Sequence, residues 1–232
     1  MITGRLIGVG VGPGDPDLLT IKAVKAIRSA PIIAYVSANG GASMARQIVA
    51  EHLTGKAKEI KFTLPMSPMP ELAQAAYDEG ASRIGAELEQ GTNVVALCEG
   101  DPMFYGSFGH IFQRLADQYP TEIIPGVSSI MAAAATAKQP LAFGQDCVAV
   151  IPATLPEALF KERLQTTNAA VILKIGRHVE KVRSVLEQLD LIQHATYVER
   201  ASSAEEKVIP LADLDQPDVP YFSLIIVSKH HR

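Results

Sequence analysis

The sequence predicts an α/β protein of two domains, and three observations carry that prediction. Through the first half of the chain, short apolar runs alternate with stretches whose apolar residues recur at helical spacing. Several of the apolar runs end directly in loops made of Gly, Pro and Asp. Beyond an Ala-rich stretch the strand-like runs lie closer together, which suits a smaller α/β domain with a mixed or largely antiparallel sheet. A chain of 232 residues has room for two such domains.

Leu6–Val11 reads as a buried strand. A helical pattern follows over Asp17–Ala30, with Leu19, Ala23, Ala26, Ile27 and Ala30 on one face and Lys22, Lys25 and Arg28 on the other. Pro31 stops it and opens a second strand, Ile32–Val36. A helix over Ser43–Leu53 and a strand near Glu59–Phe62 come next. The plainest helix spans Pro70 to Gln90, where Ala73, Tyr77, Ala81, Ile84 and Leu88 form one stripe and Pro70 and Gly91 punctuate the ends. Val94–Cys98 is apolar throughout, as a central parallel strand covered on both faces should be. A helix with Phe108, Ile111, Phe112 and Leu115 inward and a strand over Glu122–Ile124 complete an open, mainly parallel sheet with helices on both faces.

The Ala132–Ala137 stretch ends at Lys138-Gln139-Pro140, a natural hinge, and we place the domains at 1–131 and 132–232. Strands are expected in the second domain at Cys147–Ile151, Ala170–Ile175, Ala195–Val198, Glu206–Ile209 and Phe222–Val227. A helix over Val179–Leu189 buries Val179, Val182, Leu186 and Leu189. Lys229–Arg232 reads as a loose solvated tail.

Composition narrows the function classes. A net charge of −4 and a pI near 5.9 give no support for nucleic-acid or anionic-membrane binding. No apolar run approaches the ~18 residues of a membrane span, and Met1–Thr3 leads straight into the first strand, without space for a signal peptide. Cys98 and Cys147 form no CxxC pair, so both are expected as buried, reduced thiols of a cytoplasmic protein. The six histidines show no metal-ligand spacing, and His110 reads as structural.

The Gly8-Val9-Gly10-Val11-Gly12-Pro13-Gly14-Asp15-Pro16 loop carries the chemistry. Its glycines let the backbone turn sharply and approach a ligand closely. It fails the dinucleotide pattern: counted from Gly10, the third glycine is Asp15, and counted from Gly8 it is Pro13. No acid ends the second strand to take a ribose hydroxyl, which argues against an NAD enzyme. Two further strand-end loops have similar make-up, Glu99-Gly100-Asp101-Pro102-Met103-Phe104-Tyr105-Gly106 and Pro125-Gly126-Val127-Ser128-Ser129. Singly each is a common turn composition.

Together, in order and at these spacings, the three loops resemble the tetrapyrrole methylases, the class III S-adenosylmethionine-dependent methyltransferases. Lys174-Ile175-Gly176-Arg177 and Tyr197-Val198-Glu199-Arg200-Ala201 extend the likeness over nearly the whole chain. Within that family the first two loops are worded like the precorrin-2 C20-methyltransferases of cobalamin biosynthesis, where Glu99 replaces a second glycine usual in relatives. The resemblance implies a two-domain α/β enzyme, a homodimer, with S-adenosyl-L-methionine in a cleft between the domains and S-adenosyl-L-homocysteine as product. It implies cofactor contacts from Pro13, Gly100, Asp101, Met103, Phe104, Ser128, Ser129, Ile175 and Ala201. The substrate would be a small-molecule tetrapyrrole bearing many carboxylates, with Arg177 as a substrate contact and Lys56, Lys58, Lys61, Lys174 and His178 as further local positive charge.

The likeness departs from the pattern at one place. Relatives that methylate pyrrole carbons often carry an Asp after the tyrosine of the second strand, and here that residue is Val36. An enamine-like meso carbon is already nucleophilic, so transfer itself needs positioning more than a base. A proton must still leave C20; Tyr105, Glu99 and bound water are the candidate acceptors. Alternatives are a cobalt-bearing precorrin-2 substrate, another tetrapyrrole carbon or a protein or ribosomal RNA as methyl acceptor. From a different class, a non-catalytic nucleotide-binding module is opposed by three intact loops.

Overall fold

Five parallel strands form the first sheet, in the order β3-β2-β4-β1-β5, with β1 Leu6–Gly10, β2 Ile32–Ala38, β3 Lys58–Leu64, β4 Val94–Cys98 and β5 Thr121–Ile124. The computed structural model describes residues 3–65 and 69–229; Met1, Ile2 and the His230–Arg232 part of the expected tail lie outside them. The chain divides into two units, Met1–Ser128 and Ser129–Arg232.

Alternation along each strand of the first unit sends successive residues to opposite faces. One face gathers Leu6, Ile32, Ala34, Val94, Ala96 and Cys98 under α3 (Pro70–Glu89) and α4 (Phe108–Leu115). The other gathers Val9, Ile33, Tyr35, Val95 and Leu97 under α1 (Ile21–Ser29) and α2 (Met44–Ile48). All five residues of β4 are buried, as its unbroken apolar run requires. The stripe foreseen on α3 is the one that packs: Tyr77, Ala81, Ile84 and Leu88 are buried and Ala73 lies against the same cluster. His110 stacks on Tyr77 with ring centroids 4.3 Å apart, a structural role.

In the second unit α5 (Ser129–Thr136) leads to a sheet of order β6-β7-β10-β8-β9. Its strands are β6 Val148–Pro152, β7 Ala169–Leu173, β8 Ala195–Glu199, β9 Lys207–Pro210 and β10 Ser223–Ser228. The sheet is mixed: β6 and β7 are parallel, whereas β10 is antiparallel to both β7 and β8. Two helices, α6 (Glu157–Gln165) and α7 (Val179–Gln188), supply its core. Phe160 and Leu164, one turn apart on α6, and Val179, Val182, Val185 and Leu186 on α7 are all buried there.

Helix starts differ from the sequence reading, and capping explains it. Asp15 accepts the Asp17 N–H at 2.8 Å and closes a short 3₁₀ turn, Pro16–Leu18. Thr20 then accepts the Ala23 N–H at 3.1 Å, so α1 begins at Ile21 rather than at Asp17. The expected Ser43–Leu53 helix is likewise two pieces, α2 capped by Ser43 and a 3₁₀ turn at Ala50–His52. Cys98 is a buried thiol, but Cys147 is exposed. It precedes β6, which is an edge strand, so burial on both sides is not available to it.

Candidate functional site: the strand-end loops

Because the first sheet is parallel, the carboxyl ends of all its strands share one edge. β1 and β4 are neighbours, yet their following helices cover opposite faces, so the two connections diverge outside the strand ends. Ligands of open α/β sheets bind at such a place. Here the β1 and β4 loops stay joined by one backbone bridge. Gly100 donates its N–H to the Gly12 carbonyl at 2.8 Å, and Gly12 donates to the Gly100 carbonyl at 3.3 Å.

Glycine at two of these positions is dictated by backbone packing. A Cβ on Gly126 would lie 2.2 Å from the Gly100 carbonyl oxygen, and one on Gly10 would lie 2.5 Å from the Gly126 nitrogen. Main chain therefore rests directly on main chain where the loops after β1, β4 and β5 meet. Gly8 has a different cause: its Cβ would enter the Phe108 ring at 2.4 Å, so it makes room for α4. Gly12 and Gly100 stand at φ 78° and 65°, a region that favours glycine.

Asp101 links two of these loops. Its Oδ1 accepts the Met103 N–H at 2.9 Å and its Oδ2 accepts the Gly126 N–H at 3.0 Å. Beyond it, Met103, Phe104 and Tyr105 project outward, 52%, 41% and 54% exposed, with Phe104 and Tyr105 edge to face at 5.1 Å. Tyr105 sits at φ 54°, which an aromatic residue adopts at a cost of order 1–3 kcal/mol. Such strain concentrates where side-chain direction matters for function. Pro13 and Ser128 are half-buried, and Ser129 is exposed at the start of α5 in the second unit.

Glu99 turns the other way from its neighbour Cys98, toward α2. Its Oε1 accepts the Ala45 N–H at 3.1 Å in the first turn of that helix. The β2–β4 ladder ends at Ala34↔Ala96, while β1–β4 pairing runs on to Gly10↔Cys98, so β2 and β4 have parted before Glu99 is reached. Burial raises the Glu99 carboxyl above the usual range, opposed by hydrogen bonds from its own backbone and from Ala45. The same burial pushes the Cys98 thiol up to about 11. Val36 is partly buried against the α3–α4 cluster.

In the second unit β7 and β8 both run antiparallel to β10, so their carboxyl ends share an edge. Both following loops turn through left-handed conformations, with Lys174 at φ 56°, Arg200 at 47° and Ser202 at 67°. Ile175 is 1% exposed and Ala201 7%, so both residues are buried. Arg177 is exposed in the 3₁₀ turn Gly176–His178. Burial, then the charges of Lys181 and Arg177, hold His178 below its ordinary range. Of the foreseen lysines, Lys58 pairs with Glu87 at 2.5 Å and Lys61 donates to the carbonyls of Gly40 and Gly41, structural uses in both cases.

The structure thus brings Gly100, Asp101, Met103 and Phe104 onto one loop bonded to the Pro13 loop and to Gly126, and places Ile175, Ala201 and Arg177 on one sheet edge of the second unit. Sequence reasoning missed Gly10 and Gly126 as a packing pair and the Glu99–Ala45 contact. The glycines were visible as glycines, but a contact across 54 positions leaves no local signal. Among the described residues no His, Cys, Asp or Glu cluster is placed to hold a metal, and no helix is long and apolar enough to cross a membrane.

Comparison with known proteins bears on the family and the fold. The cobalamin biosynthesis protein CobIJ of Mycobacterium bovis is 40% identical over 99% of this chain, which spans 47% of that protein's length, about half. The precorrin-2 C(20)-methyltransferase of a Sinorhizobium species is 39% identical over 97% of this chain and 95% of its own. A crystal structure of uroporphyrin-III C-methyltransferase from Thermus thermophilus, complexed with S-adenosylhomocysteine, shares the fold with a TM-score of 0.68 at 22% identity, covering 97% of this chain and 98% of that one. The model of the tetrapyrrole (corrin/porphyrin) methylases matches residues 5–215, which include all three strand-end loops and both loops of the second unit. On that match the chain belongs to the tetrapyrrole methylase family.

Proposed function

We propose that this chain is an S-adenosylmethionine-dependent methyltransferase that methylates C20 of precorrin-2 during corrin-ring biosynthesis. The observation that carries the proposal is its end-to-end likeness to the Sinorhizobium enzyme of that name. The loop geometry fits a methyl donor of this kind. Gly100 leaves the end of β4 without a side chain, and the exposed Met103 and Phe104 side chains offer apolar surface to a flat ligand. A homodimer in the cytoplasm belongs to the same proposal.

The donor, when bound, supplies an electrophilic methyl on a sulfonium. Pro13, Gly100, Asp101, Met103, Phe104, Ser128, Ser129, Ile175 and Ala201 are assigned to holding it. Binding the meso carbon in line with the S–CH3 bond and away from water provides most of the rate. The C20 electron pair forms the new C–C bond as the S–C bond breaks. The proton then leaves C20, and its bonding pair returns to the ring. Glu99 and Tyr105 are the candidate acceptors on the second strand-end loop. Arg177 is assigned to a substrate carboxylate.

Calorimetry tests the donor assignment. Micromolar binding of S-adenosylmethionine or S-adenosylhomocysteine, with no heat from NAD(H), is the expected result; the reverse pattern overturns it. Turnover assays with metal-free and cobalt-bearing precorrin-2 decide which form is the substrate.

A further inference from the structure

We propose that Glu206 is a positioning residue for the donor: one of its carboxylate oxygens holds the Ala201 loop in its left-handed shape and ties that loop to the end of α5. The proposal rests on the donor reading above. Ala201 lies between Arg200 at φ 47° and Ser202 at φ 67°. Left-handed backbone is disfavoured in residues that carry a side chain, and it persists only where surrounding bonds over-determine it. Arg200 is fixed by its N–H, which donates to the Phe222 carbonyl at 2.8 Å, and by an ion pair with Glu205. Ser202 is fixed by Glu206, whose Oε2 accepts its N–H at 2.6 Å. The peptide planes that flank Ala201 take their direction from these two residues.

The same Oε2 accepts the Thr136 hydroxyl at 2.8 Å. Thr136 is the last residue of α5, and Ser129, also assigned to the donor, is the first. Just past the helix, Gln139 accepts the Thr196 hydroxyl of β8 at 3.1 Å. Helix and strand are thus joined once through β8 and once through the loop that follows it. Glu206 makes the second joint, and so relates the Ala201 loop to the helix that begins at Ser129. Its two partners are a backbone N–H and a hydroxyl, both neutral. What they require is one oxygen with two lone pairs, which an amide supplies as well as a carboxylate.

Glu206→Ala and Glu206→Gln in the full chain test this by calorimetric titration with S-adenosylhomocysteine and by hydrogen exchange at the Ser202 amide. The alanine variant should bind about tenfold more weakly, the scale of losing such hydrogen bonds, with faster exchange at Ser202. Glutamine should restore both the affinity and the protection. Thr136→Val keeps the side-chain shape and removes only the α5 bond, so it should weaken binding about threefold even if Glu206→Ala fails to fold. Parent-like affinity in Glu206→Ala, or a glutamine variant as weak as the alanine one, would overturn the proposal. Unchanged affinity in Thr136→Val would overturn the coupling to α5. If the parent protein does not bind S-adenosylhomocysteine, the donor reading fails, and with it the ligand half of this proposal. Exchange at Ser202 still decides whether Glu206 holds the loop.

Discussion

Replacing Gly126 with Ala puts the packing at the strand ends under direct load. The new Cβ would lie 2.2 Å from the Gly100 oxygen and 2.8 Å from the Gly10 carbonyl carbon, about 1 Å short of an ordinary contact on the nearer side. Both neighbours are main chain, so no side-chain rotation relieves the clash. Overpacking of this kind costs about 1–3 kcal/mol, and the displaced loop also weakens the Gly126–Asp101 bond. We expect a loss of about 3 kcal/mol, equivalent to roughly 10 °C in Tm for a protein of this size. Gly109→Ala is the internal control. That glycine is in α4 and a Cβ there meets nothing within 4 Å, so helix propensity should make the change stabilising by about 0.5 kcal/mol. Urea melts of the three proteins give the comparison. A Gly126→Ala variant as stable as the parent would refute the backbone-on-backbone account.

Three further outcomes follow from other parts of the molecule. Glu99→Gln removes a carboxylate whose charge is disfavoured by burial. A folded pKa above the unfolded one means the charged form weakens the fold at neutral pH and that this penalty disappears as pH falls through the folded value. The variant should therefore melt higher than the parent at pH 7–8, with the gap closing in acid. It should bind S-adenosylhomocysteine normally and turn over about a hundredfold more slowly, the scale of losing a general base; normal turnover removes Glu99 as the proton acceptor. Glu59 is held below the usual carboxylate range by Arg46 and then by the Tyr35 hydroxyl. Its contribution is present above the unfolded value and is lost as pH falls through the folded one. Arg46→Ala should cost about 1 kcal/mol at pH 7, reflecting a half-exposed pair, and almost nothing near pH 3, by urea melts at both. Native protein should release one equivalent of thiol to a disulfide reagent, from exposed Cys147. Cys98 should react only after unfolding, being buried with its pKa near 11.

Much of the fold was legible because period and burial coincide. The α3 stripe from Tyr77 to Leu88 and the unbroken β4 run both declare their environments locally, and each packs as its pattern requires. Helix starts were less legible. Asp15 and Thr20 each offer a side-chain acceptor to a nearby N–H, and that competition divides a continuous helical pattern into a 3₁₀ turn and α1. In the candidate site the glycines were conspicuous, but their division of labour was not. Gly8 makes room for Phe108, and Gly10 and Gly126 pack on each other and on Gly100. The partners that decide this come from distant parts of the chain and meet only once the sheet has formed. The same is true of the Asp101–Gly126 and Glu99–Ala45 hydrogen bonds.

The most direct test of the proposed function is to follow the methyl group itself. Incubated with precorrin-2 and S-adenosylmethionine carrying a ¹³C methyl, the protein should transfer the label to C20, with one S-adenosylhomocysteine released per methyl, as read by NMR and chromatography. Label at another carbon, or no transfer to either metal-free or cobalt-bearing precorrin-2 by protein that binds the donor, would contradict the account.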